Sequence, residues 1–93
     1  MKQPDFNHNQ AMSMLNAALR EMKRDLNKVD HLSLQGAQKK LAQHMHEIYD
    51  EMEKLVDQYS HTHKHEDFNF VCRQLEVLQP AFILNYNEIL DWG

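Results

Sequence analysis

The chain has 93 residues, room for one hydrophobic core and not for two, and its 42% apolar and 26% charged residues describe a globular rather than a disordered chain. A formal net charge of −4 argues against nucleic-acid binding, and a single cysteine excludes an intrachain disulfide or a zinc site made of several cysteines. Two glycines and two prolines are too few for the turns of a sheet protein, so helix is favoured before any periodicity is read.

Residues 1 to 6 read as a short lead-in. Asn7 and Gln10 stand at capping-box spacing, and Phe6 and Ala11 at the positions of a hydrophobic staple. Met12, Leu15, Leu19, Met22, Leu26 and Val29 follow at intervals of 3, 4, 3, 4 and 3, a heptad seam and the clearest pattern in the chain. Ala11, Met14 and Ala18 widen the seam, which suits a bundle helix with more than one neighbour. Arg20, Glu21, Lys23, Arg24, Asp25 and Lys28 occupy the other face.

A break is expected at Asp30 to Ser33, with Ser33 as the cap of a second helix and Leu32 and Ala37 as its staple. That helix would bury Leu34, Ala37, Leu41, Met45, Ile48, Met52, Leu55 and Tyr59, with Gly36 in its first turn. A second break runs from Ser60 to His65, where Ser60 or Thr62 can cap a third helix that carries Glu66 and Asp67 in its first turn. Phe68, Val71, Leu75, Leu78, Phe82 and Ile89 share one face of the third helix. Pro80 interrupts it, either kinking it or starting a short fourth helix, and the unbroken apolar phase favours the kink.

The expected architecture is all-α: a single domain over residues 1–93, a small antiparallel bundle of three long amphipathic helices, the third kinked or split near Pro80. Helices of roughly 23 to 26 residues would be about 35–40 Å long. A domain of this size also gains from pairing, so a homodimer is kept as an alternative.

Histidines 61, 63 and 65 alternate through the second break beside Glu66 and Asp67. Imidazole and carboxylate suit zinc, nickel or copper, so His61, His63 and His65 are the candidate metal ligands; an ordinary polar linker explains the same residues without a metal. His44 and His46 with Glu47, Asp50 and Glu51 lack the Glu-x-x-His order of di-iron bundles and read as a solvated face. Asp50, Glu51, Glu53 and Asp57 have nothing to separate their pKa values for acid–base work, and so mark a solvent face or a docking surface for a basic partner. Residues 1 to 46 hold seven basic and four acidic residues, and residues 47 to 93 three and ten. Arg20, Lys23, Arg24, Lys28, Lys39 and Lys40 are therefore expected to pair with the acidic half rather than with phosphates. Cys72 reads as a buried free thiol. Phe82, Tyr86, Ile89, Leu90 and Trp92 form an aromatic C-terminal group that, if exposed together, would be an interface.

There is no Gly-rich phosphate loop, no His-Glu-x-x-His and no calcium loop. A non-enzymatic helical interaction module is expected, a small regulator, inhibitor or adaptor that binds another protein through the C-terminal group or through Asp50, Glu53 and Asp57. The alternative is a metal-binding or metal-sensing bundle built on the histidines. No cofactor, no membrane and a cytoplasmic setting are expected, the last from the free thiol and the absence of an apolar leader.

Overall fold

A computed structural model describes residues 7–91 of the chain. Three helices occur in order, α1 (His8–Asp30), α2 (Ala37–Thr62) and α3 (His65–Asp91), and there is no strand among the described residues. The Phe6 half of the expected staple lies outside the described residues.

α1 starts where the sequence places it. Asn7 is extended, and its side-chain oxygen accepts a hydrogen bond from the Gln10 N–H at 3.1 Å, satisfying one of the helix's free donors. At the other end the His31 and Leu32 N–H groups donate to Lys28 and Val29 carbonyls, tightening the last turn.

α2 does not start at Ser33. With Gly36 rather than Ser33 at the cap position it begins three residues later than expected, at Ala37, after Gly36 at φ +58°, ψ −122°, and no side chain caps it. A conformation with φ and ψ of those signs is open to glycine and strained for other residues, so the chain turns where Gly36 stands. Leu34, expected within the helix, instead packs against the core from the preceding loop.

The second break is much shorter than expected. α2 continues through Ser60, His61 and Thr62, and only His63 and Lys64 separate it from α3. His63 adopts the left-handed conformation (φ +57°), and its N–H donates to the Tyr59 carbonyl at 2.9 Å, a helix-ending turn usually made by glycine. The Ser60 hydroxyl donates back to the Asp57 carbonyl at 2.6 Å and so closes α2 rather than opening α3. The Thr62 hydroxyl donates to the Asp67 carboxylate across the turn. Glu66 and Asp67 occupy the first turn of α3 as expected, at the positive end of the helix. α3 then runs through Pro80 as one helix, so no fourth helix starts there.

The core comes from the three seams. Leu15, Met22, Leu26 and Val29 of α1, Met45, Met52, Leu55 and Tyr59 of α2, and Val71, Phe82 and Ile89 of α3 are buried. Each such side chain contributes about 1.5–3 kcal/mol before the entropy of ordering is subtracted. Met12, Leu19, Leu41, Ile48, Phe68, Leu75 and Leu78 are half-buried at the edge of the same core. No polar or charged side chain is buried among the described residues. α2 and α3 share the most extensive contact, whereas α1 lies mainly on α2 and touches α3 least. Gln38, at the beginning of α2, donates from Nε2 to the Ile89 carbonyl near the end of α3 at 3.2 Å.

Candidate functional site

α3 carries apolar side chains on more than its buried face. Phe70, Val77 and Leu84 are 51%, 67% and 64% exposed. They recur every seven residues, which is two helical turns, so they form one stripe with neighbours about 10 Å apart. At about 100° per residue this stripe faces well away from Val71, Phe82 and Ile89. Ile83 and Leu90, also seven apart and also exposed, lie on another side of the helix.

The C-terminal group expected as an interface is divided by the fold. Phe82 and Ile89 are 1% exposed each and belong to the core, so they are closed to a partner. Both already sat in the apolar seam, and one side chain cannot line the core and a docking surface together. Tyr86 is half-buried, Leu90 is exposed, and Trp92 lies outside the described residues. Sequence reading missed Phe70, Val77, Ile83 and Leu84. Their signal was present as apolar residues repeating every seven positions off the main seam.

Asp50, Glu51, Glu53 and Asp57 are all exposed on α2. Glu53 accepts a hydrogen bond from the Tyr49 hydroxyl at 3.3 Å. Burial, with the negative charge of Glu53 beside it, pushes the Tyr49 phenol above its usual pKa. The basic residues of α1 do not pair with these carboxylates as expected. Among the described residues the ion pairs are His46–Asp30 at 2.9 Å, joining α2 to α1, and His61–Asp57 at 3.9 Å. Lys23 lies instead over the Tyr49 ring, 5.4 Å from its centre. His44, Glu47, Asp50 and Glu51 are exposed, as expected of a solvated face, while half-buried His46 bonds to Asp30.

The histidines of the turn have different neighbours. His61 lies in the last turn of α2 and donates from Nδ1 to the Asp57 carbonyl at 2.8 Å. His63 stacks on His8, with centroids 3.8 Å apart and 22° between planes. His65 opens α3, with its ring 6.5 Å from that of Phe68. No group of three or more His, Cys, Asp or Glu residues among the described residues is placed to hold a metal ion. His8, which sequence reading passed over, is the residue that ties this end together. Its Nδ1 is 2.9 Å from the hydroxyl of Tyr59, and Tyr59 has no exposed surface.

Cys72 is half-buried, and burial together with the nearby Glu76 charge raises its thiol pKa. A protonated thiol is a poor nucleophile. An open cavity of about 530 Å³ lies beside the α2–α3 turn, with Leu55, Phe70 and Val71 among its apolar lining and Asp57 and Asp67 among its polar lining.

No helix among the described residues is long and apolar enough to cross a membrane. Compared with protein-family models, with curated proteins and with solved structures, the chain matches none of them.

Proposed function

We propose that this chain is a non-enzymatic helical interaction module, a small regulator, inhibitor or adaptor that acts by binding another protein through α3. One observation carries the proposal: five large apolar side chains of α3, Phe70, Val77, Ile83, Leu84 and Leu90, are exposed in a chain that has already filled its core. Single exposed apolar residues need no explanation, but Phe70, Val77 and Leu84 form a repeating stripe along one side of the helix, which marks an unfilled packing surface. The acidic residues Asp50, Glu53 and Asp57 lie on another helix and would guide a basic partner electrostatically.

Three finer features belong to the same reading. The helices run antiparallel in sequence, up, down and up, which the Gln38–Ile89 and His8–Tyr59 contacts between opposite ends of neighbouring helices support. Pro80 kinks α3, because its ring crowds the carbonyl of Glu76 and it has no N–H to donate there. A second copy of the chain is an alternative occupant of the α3 stripe.

The test is capture from lysate of the native cell by the wild-type chain and by a Val77→Lys, Leu84→Lys variant. Both positions are exposed, so the variant keeps its helical circular dichroism and changes stability by less than about 0.5 kcal/mol. A discrete protein retained by the wild type and lost from the variant is expected. Equal recovery by both chains would remove α3 as the binding surface.

A further inference from the structure

We infer that the C-terminal halves of α1 and α3 form a docking groove for an acidic amphipathic helix of a partner protein. The inference rests on the interaction reading and names a second surface, with a defined partner chemistry. The groove is shallow and open to solvent, with a volume of about 580 Å³. Leu32, Tyr86 and Leu90 supply its apolar surface, and Arg24, Lys28 and His31 supply its charged and polar one. It exists because α1 leans on α2 and touches α3 least, leaving a gap between the two helices. Leu32, just past the end of α1, and Leu90, near the end of α3, remain 45% and 47% exposed.

The charge of the wall selects the occupant. Arg24 and Lys28 are four residues apart on α1, so they stand one above the other, about 6 Å apart. Neither has a carboxylate within ion-pair distance among the described residues. The His31 ring is held by its Nδ1–H, which donates to the Asn27 carbonyl at 2.6 Å, leaving Nε2 as its remaining polar atom. Of the acidic residues beside Arg24 and Lys28 on α1, Glu21 and Asp25 form no ion pair with either side chain, and Asp30 is engaged with His46 of α2. The C-terminal dipole of α1 amounts to about half a negative charge, against two full positive charges on Arg24 and Lys28.

The chain as a whole carries −4. An acidic partner is therefore repelled by most of the surface, the α2 carboxylates above all, and attracted to this wall, which fixes both the site and the orientation of docking. A helix laid in the groove presents apolar residues at i, i+3 and i+7 to Leu32, Tyr86 and Leu90. Glutamates four residues apart on its flank match the spacing of Arg24 and Lys28.

The probe is a helix-stapled peptide of about four turns, with leucines along one face and glutamates beside them. The control peptide has lysine at every glutamate position. Binding to the full chain is read by fluorescence anisotropy. The glutamate peptide is expected to bind at about 10 μM, and the lysine peptide at least about tenfold more weakly. An Arg24→Glu, Lys28→Glu variant, with its helicity checked, should reverse that preference, while Val77→Lys, Leu84→Lys leaves the binding within about twofold. Equal binding of the two peptides, an unchanged preference in the charge-reversed variant, or no binding of the glutamate peptide below about 1 mM would overturn the inference. Such a failure with lysate capture still dependent on Val77 and Leu84 sinks the groove alone. Loss of that dependence sinks the interaction reading itself.

Discussion

Tyr59 shows how much of this fold rests on one polar atom in an apolar setting. Its ring is wholly buried between the helices, and its hydroxyl meets His8, which stacks in turn on His63. Replacing the tyrosine by phenylalanine keeps the ring and removes the hydrogen bond, and Tyr59→Phe is expected to lower stability by about 1 kcal/mol in urea unfolding. Alkaline pH tests the same environment. Burial raises the pKa of the Tyr59 and Tyr49 phenols and of the Cys72 thiol, so the fold favours their neutral forms. Their contribution is fully present below the unfolded-state values, roughly 8.5 for the thiol and 10 for the phenols, and is lost as pH rises through the higher folded-state values. The urea midpoint should be insensitive to these groups near neutrality and fall above about pH 9, less steeply in Tyr59→Phe. A midpoint that rises with alkali would contradict the burial of these groups. Sequence periodicity placed Tyr59 in the core. It did not reveal the His8 contact, because the two residues are 51 apart and meet only through the relative register of two helices.

At the scale of the element, helix number and most of each buried face were legible, though Ala37 is exposed where burial was expected, and two boundaries were not. Ser33 is a good cap by residue type, but a cap is worth only about 1 kcal/mol. Keeping Leu34 against the core from a loop, with Gly36 free to turn afterwards, is worth at least as much. The turn after α2 was read as a long polar linker because its residues are polar. It closed to two residues because His63 accepts the left-handed conformation and Ser60 and His61 bond back to α2. α3 is the least settled element by local propensity, since Pro80 lies inside it. Proline in a helix interior costs about 3 kcal/mol relative to alanine. Pro80→Ala is expected to raise stability by about 1–3 kcal/mol, the lower end applying if the neighbouring helices already hold α3 in its packed shape. A destabilised variant would show that the helix needs its proline for its packed shape.

For the whole molecule, the expected pairing of a basic N-terminal half with an acidic C-terminal half is not what joins the helices. Apolar seams do so, and among the described residues no lysine or arginine forms an ion pair with a carboxylate. The candidate surface was only partly legible for the same reason. An apolar residue near a C-terminus reads alike whether it fills a core or faces outward, and Phe82 and Ile89 went inward while Phe70, Val77 and Leu84 did not. The most direct measurement is photo-crosslinking in the native cell, with a benzophenone amino acid placed at Val77, at Leu84 or, as a control, at the exposed α2 residue Gln43. Discrete adducts from positions 77 and 84 and none from 43 are expected, their mass telling a different protein from a second copy. The same adduct pattern from all three positions, or none from any, would contradict a binding surface on α3.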